Sequence, residues 1–263
     1  TLSRSINTFI NSINYKIVID PRVKGLDSNR SADLVLSELP NEVVSQDCSE
    51  VKWKSISAIT GNEVEKIDWS EQQAVTTICN QIPDESALFI GSSRPIRDIE
   101  SFAKPRSGIE VFANRGLAGI DGNISTIFGI SEKFNKTFAI LGDLSLLHDI
   151  SALTNTPKSN LRIFVIDNNG GGIFSTLPQS NVNNFEKLFG TPHNLDLSSV
   201  ISGFGVSVSK VTNLSELEST FSREVKGLDV VVITVPSREE NAKKLKEITQ
   251  RVSSAVRIGI NLA

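Results

Sequence analysis

A doubly wound α/β fold, with a mainly parallel sheet and helices on both faces, is predicted by three features of this 263-residue sequence. Short runs of mostly Ile, Val, Leu, Phe and Ala recur between Ala87 and Val235, segments with helical spacing separate them, and two of the most apolar runs end in turn-forming Gly, Asp and Asn. Strands written as continuous apolar runs are buried on both faces, which is the situation of a parallel sheet covered by helices.

In chain order, Tyr15–Asp20 reads as a strand, Pro21 through Asn29 as a turn-rich stretch, Ser31–Leu39 as a short helix and Trp53 as an apolar anchor. These residues look like part of an α/β domain, and a boundary near Ile67–Ser70 separates residues 1–66 from residues 67–263. Beyond it, strand-like runs lie at Ala87–Ile90, Glu110–Ala113, Thr137–Leu141, Leu161–Ile166 and Val230–Val235. Between the second and third, Gly119–Phe134 sets Ile120, Ile124, Ile127, Phe128 and Ile130 largely at helical spacing. Asn213 is placed to cap a helix whose inner face is Leu214, Leu217, Phe221 and Val225, with Glu216 three residues on and Gly227 as a stop. A final helix near Glu239 to Val256 turns Ala242, Leu245, Ile248 and Val252 inward and its lysines outward.

Composition excludes several classes. A hydrophobic content of 39% is enough for a full core, and a formal net charge of −3 with no basic block argues against nucleic acid or an anionic membrane surface as partner. Cys48 and Cys79 are too few for a disulfide framework, and no apolar run is long enough to span a bilayer or resembles a signal peptide. A reducing cytoplasm is the compartment expected.

The chemistry concentrates where two apolar runs end, at Gly142-Asp143-Leu144-Ser145 and Asp167-Asn168-Asn169-Gly170-Gly171-Gly172-Ile173-Phe174. Ligands of open α/β sheets collect beyond the carboxyl ends of the strands. Magnesium takes hard oxygen ligands in near-octahedral geometry and commonly shares them with substrate phosphates. Asp143 offers a carboxylate, Asn168 an amide oxygen and Gly170 a backbone carbonyl, while the glycines let N–H groups approach a phosphate. Taken singly, Asp143 also fits a helix cap and Asn168-Asn169-Gly170 a plain turn. Arg97 and Arg115 each follow a strand-like run, which places them at the same sheet edge, although most arginines are merely solvated. His148 and His193, the only histidines, are too far apart for a local zinc motif and read as structural.

Beyond these pairs, Arg97, Asn114-Arg115-Gly116, Gly119-Ile120-Asp121-Gly122, His148-Asp149 and Phe189-Gly190-Thr191-Pro192-His193 follow one another in an order that resembles the thiamine-diphosphate-dependent enzymes, and within them the branch serving menaquinone biosynthesis. The resemblance runs from about Trp69 to Asn241 and implies the thiamine-diphosphate-binding fold, preceded by part of a central α/β domain. It implies thiamine diphosphate held through Mg²⁺ (or Mn²⁺) on Asp143, Asn168 and the Gly170 carbonyl, with Gly142, Leu144, Ser145, Gly171 and Gly172 at the cofactor and Ile120 as the wedge that bends it. It implies decarboxylation of 2-oxoglutarate and addition of the succinyl unit to isochorismate. Ser93, Arg97 and Arg115 would grip carboxylate, and Ile173, Phe174 and Leu177 would supply apolar walls.

The family's pyrimidine-binding domain, with its catalytic glutamate, has no counterpart here, so the chain reads as the carboxyl-terminal part of a larger enzyme, a homodimer or homotetramer, inactive alone. Ser92-Ser93-Arg94-Pro95 and Asp167 depart from the family pattern without removing a proposed ligand. Two other readings stay open: another thiamine-dependent 2-oxoacid decarboxylase or acetohydroxyacid synthase, and a non-catalytic module that binds a diphosphate.

Overall fold

The computed structural model describes residues 4–22, 31–42, 50–114 and 119–261, in two compact units, Thr1–Lys54 and Ser55–Ala263. In the first unit, helix α1 (Arg4–Ser12) precedes strand β1 (Ile17–Ile19), which pairs in parallel with β2 (Leu34–Leu36). The short helix expected over Ser31–Leu39 is therefore wrong. Only a few residues separate Asp33 from Pro40, too few to repay helix nucleation, and Pro40 disfavours a helical Leu39. The Lys16 carbonyl accepts from the backbone N–H groups of Asp33 and Leu34 and starts the pairing instead. Trp53, expected as an anchor, lies on helix α2 (Glu50–Val64) and is 58% exposed.

In the second unit, α3 (Glu71–Gln81) leads into β3 (Ser86–Ile90), α4 (Arg94–Phe102), β4 (Ile109–Phe112), α5 (Asn123–Ser131), β5 (Thr137–Gly142) and α6 (Asp143–His148). Then come β6 (Leu161–Asp167), α7 (Leu197–Ser202), β7 (Ser207–Val211), α8 (Leu214–Thr220), β8 (Leu228–Thr234) and α9 (Arg238–Asn261). The strands form one six-stranded sheet in the order β4-β3-β5-β6-β8-β7, and each neighbouring pair is parallel.

Side chains divide by parity along each strand, as the pleat requires. Phe89, Ala139, Leu141, Ile163, Val165, Val230 and Val232 point into a core with Ile124 and Ile127 of α5, Leu146 of α6 and Ile201 of α7. Leu88, Ile90, Phe138, Ile140, Phe164, Ile166, Val231 and Ile233 point the other way, toward Ala74, Val75 and Ile78 of α3 and Leu217 of α8. Both faces of the central strands are buried, which explains their unbroken apolar sequence.

The sixth strand, β7, was not anticipated. Ser207-Val208-Ser209-Lys210-Val211 mixes polar with apolar residues because it is an edge strand, partly exposed. Asn213 does cap α8 by accepting from the Glu216 N–H at 3.0 Å, but the Glu216 carboxylate returns to the N–H of Thr212, at 2.7 Å. That helix ends at Thr220, before Val225 and Gly227, and Phe221 stacks on Phe164 instead. Among the described residues no helix is long and apolar enough to cross a membrane.

The chain enters the sheet at β3, steps outward to β4, then crosses back to β5 on β3's other side. The switch point between β3 and β5 opens a crevice at their carboxyl ends. At the opposite end of the sheet, Arg162 of β6 is 2% exposed, and its guanidinium donates to Asp229 at 2.7 Å and to the Thr220 carbonyl at 2.6 Å. Removing the acid strands a buried cation, which costs about 3–5 kcal/mol. We expect Asp229→Ala to lose roughly 3 kcal/mol in chemical denaturation; a loss below about 1 kcal/mol would show that the carbonyls alone satisfy Arg162.

Candidate functional site

The register of β5 on β6 sets Gly142 opposite Ile166. Both strands end there, so Asp143 and the Asp167-Asn168 pair leave adjacent tips of the sheet. Asp143, 2% exposed, opens α6. Its Oδ1 accepts from the Leu144 N–H at 2.6 Å and its Oδ2 from the Gly170 N–H at 2.7 Å, so the carboxylate ties the β6 loop back to the β5 tip. Gly170 has φ +134°, and a Cβ there would collide with the Gly190 carbonyl oxygen. Only glycine suits that place. The next residues turn through a 3-10 segment, Gly172–Thr176.

Asn168 is held from one side only. Its Nδ2 donates to the carboxylate of Glu71, the first residue of α3, whereas its Oδ1 is buried and has no hydrogen-bond partner among the described residues. A buried carbonyl oxygen left without a donor costs about 1–3 kcal/mol. A hard cation would satisfy it, and with the Asp143 carboxylate it forms the kind of oxygen set such a cation takes. The residues present thus fit a divalent cation. The Gly170 carbonyl, the third expected ligand, accepts from the Gly172 N–H at 3.0 Å and retains a second lone pair.

Four carboxyl groups converge behind these strand tips. Glu71 is 2% exposed, and burial, with Asp98 adding like charge, pushes it up to about 7. Asp98, fully buried on α4 beside Arg94, is pushed up to about 6 by the same desolvation. Burial also raises Asp167. His193 lies 3.3 Å from Asp143 and 3.6 Å from Asp167, and its hydrogen bond to Asp143 raises it. Asp143, Asp167 and His193 could also share a metal, since their ligand atoms all lie within 4.8 Å of one another.

A cavity of about 370 Å³ at the switch point gathers most of the residues singled out in the sequence: Ser93, Arg97, Ile120, Gly142, Asp143, Leu144, Ser145, Asn168 and Gly170 through Phe174 all line it. Ser93 takes the unusual φ of +77° and its carbonyl accepts from Arg97 Nη1 at 2.6 Å. Leu177 follows the 3-10 turn and is not part of the cavity lining. Arg115 lies outside the described residues; Asn114 before it donates to Asn123 and Thr126 of α5. A larger cavity, about 750 Å³, shares Asn168 and takes in His193, Glu186 and Arg238, but it holds few of the expected residues.

Glu71, Arg94, Asp98 and His193 were missed as site residues. Ser70-Glu71-Gln72-Gln73 reads as an ordinary helix start, and Ser70 does accept from the Gln73 N–H. Arg94 and Asp98 form an i,i+4 pair that looks like a solvated one. His193, read as structural, reaches the site only because the loop after Gly190 folds back on Asp143.

The raised Glu71 carries a sign that experiment can check. A carboxyl whose folded value lies above its unfolded one favours the fold below about 4.5, and that contribution is lost as pH rises through about 7. We expect the stability of Glu71→Gln relative to the unsubstituted chain to improve across that window and level off above it, in thermal denaturation followed at stepped pH. A difference independent of pH would mean that Glu71 is ionised throughout.

No family model matches the chain. Curated relatives do. It is 36% identical to the 2-succinyl-5-enolpyruvyl-6-hydroxy-3-cyclohexene-1-carboxylate synthase of Lysinibacillus sphaericus, over 78% of this chain and 38% of that one. The synthases of the same name from Thermobifida fusca and Bacillus cytotoxicus are 36% and 39% identical, over 72% and 73% of this chain and 35% and 34% of theirs. The chain therefore spans little more than a third of the length of the relatives it matches. A solved Mycobacterium smegmatis protein described as thiamin diphosphate-dependent superposes with a TM-score of 0.48 at 21% identity, covering 65% of this chain and 32% of that one, too loose a match to inform the site. Over the segment it spans, this chain is a relative of the 2-succinyl-5-enolpyruvyl-6-hydroxy-3-cyclohexene-1-carboxylate synthases.

Proposed function

We propose that this chain is the cation- and diphosphate-holding part of a thiamine-diphosphate-dependent enzyme that decarboxylates 2-oxoglutarate and joins the succinyl unit to isochorismate in menaquinone biosynthesis. One observation carries the reading: the buried Asn168 Oδ1, without a hydrogen-bond partner among the described residues, at a strand tip next to that of Asp143, on a chain related to synthases of that name.

Asp143, Asn168 and the Gly170 carbonyl are the ligands we assign to Mg²⁺, with Mn²⁺ as a substitute. Gly142, Leu144, Ser145, Gly171 and Gly172 line the cavity where the diphosphate would lie, and Ile120 lines it where the rings would bend. Thiamine diphosphate, when bound, supplies the carbon nucleophile and electron sink that loss of carbon dioxide from a 2-oxoacid requires. The chain's residues bind and orient. Arg97 and Arg115, helped by Ser93, give planar guanidinium forks suited to gripping the carboxylate of the 2-oxoglutarate-derived chain. Ile173 and Phe174, with Leu177 following, exclude water near the reacting carbon. The residues that would hold the cation and the diphosphate are anchors, not acids or bases.

The pyrimidine-binding domain and its glutamate would come from the further length that the relatives possess, in a homodimer or homotetramer within a reducing cytoplasm. Residues 1–66 then belong to the preceding central domain and 67–263 to the diphosphate-binding domain. By itself this segment should not turn over substrate.

The test joins this chain to the amino-terminal segment of such a relative and supplies thiamine diphosphate, Mg²⁺, 2-oxoglutarate and isochorismate. We expect carbon dioxide release and a new carbon–carbon bond. Release from a branched or short monocarboxylic 2-oxoacid, but not from 2-oxoglutarate, would transfer the chain to another thiamine-dependent activity, and binding without any release would leave a regulatory module. Asp143→Ala should abolish cation-dependent retention of thiamine diphosphate with an unchanged circular dichroism spectrum; undiminished retention would remove Asp143 from the site.

A further inference from the structure

The carboxylate of Glu71 meets the amide of Asn168, although 97 residues separate them in sequence. An amide side chain has a donor end and an acceptor end of almost the same shape, so its neighbours decide which way it faces. An acidic side chain offers its oxygens as acceptors, and here Glu71 Oε1 is the acceptor. Glu71 Oε1 therefore takes the Nδ2 end, and reversal of the amide would set oxygen against oxygen. The Oδ1 end is left buried, without a hydrogen-bond partner among the described residues.

Glu71 is itself tightly located. Its backbone N–H donates to Asn241 Oδ1 at 3.0 Å, and Asn241, 3% exposed on α9, donates to the carbonyls of Pro236 and Ser237. Arg94 Nε lies 3.9 Å from Glu71 Oε2 and opposes withdrawal of the carboxylate. Space is kept for the contact as well. A Cβ on Gly172 would lie 2.5 Å from Asn168 Nδ2 and 3.2 Å from Glu71 Oε1.

Building on the cation site proposed above, we infer that Glu71 is a positioning residue: it fixes the Asn168 amide by its nitrogen and so presents the oxygen to the divalent cation. Outer partners that orient a ligand typically govern metal affinity by about 10- to 100-fold.

The experiment titrates Mn²⁺ into the full chain with thiamine diphosphate present, following free Mn²⁺ by electron paramagnetic resonance. Glu71→Leu, which removes the acceptor, should weaken Mn²⁺ binding by about 10- to 100-fold. Glu71→Gln keeps an acceptor oxygen and should stay within a few-fold of the unsubstituted chain. Asn168→Asp sets a carboxylate against Glu71 and should weaken binding; adding Glu71→Gln restores a donor to that carboxylate and should recover it. A loss of packing alone would not produce that paired recovery. Gly172→Ala, which crowds the same contact, should also weaken binding.

If Glu71→Leu binds Mn²⁺ as the unsubstituted chain does, or if the paired substitution is no better than Asn168→Asp alone, the inference is overturned while the cation site stands, provided that Asn168→Ala and Asp143→Ala each weaken Mn²⁺ binding. If those two alanine substitutions leave Mn²⁺ affinity unaltered, the cation site falls and this role for Glu71 falls with it.

Discussion

The pairing of β5 with β6 is the constraint on which the remainder depends. With Gly142 opposite Ile166, Asp143 and Asn168 emerge side by side at the end of the sheet, and the Asp143 carboxylate can reach the Gly170 N–H. A slip by one residue would reverse every side chain on a strand whose two faces enter different cores. The geometry of the strand tips is thus held by the burial of residues well away from it. The switch in strand order then leaves a crevice beside those tips, between β3 and β5.

Polar groups are buried behind that crevice at real energetic cost. Glu71, Asp98, Asp143 and Asp167 lie close enough to influence one another, with Arg94 and His193 only partly offsetting them. Natural folds retain such clusters where the polarity has a use, since well-packed apolar residues would be at least as stable. Glu71 and Asp143 stand beside the Asn168 amide, whose oxygen has no hydrogen-bond partner among the described residues. The same groups give the site rigidity: α3, α4, α9 and the β6 loop are joined through Glu71, Arg94, Asn241 and Asn168.

Much of this was legible in the residues. Central strands such as Leu161–Asp167 announce themselves because burial on both faces demands an unbroken apolar run. Asp143 and Asn168 stood out because each ends such a run, and strand ends are where an open sheet binds ligands. The errors have equally physical causes. Ser207–Val211 is an edge strand, so its alternation is weak, and Ser31–Leu39 became part of a strand because a short segment next to a proline gains more from pairing than from a helix. Trp53 shows that a large aromatic ring need not be buried.

By itself the sequence determined the class of fold, the central strands and the two strand tips where Asp143 and Asn168 stand, because hydrophobic periodicity and turn chemistry act over a few residues. Only the tertiary structure decided which distant groups meet there. Glu71 is 97 positions from Asn168, and His193 is 50 from Asp143. In sequence the former is a helix-start glutamate and the latter a loop histidine. Their positions arise from where α3 packs and where the loop after Gly190 closes, and contacts between parts so far apart in the chain follow from the packing of the whole sheet rather than from any local pattern.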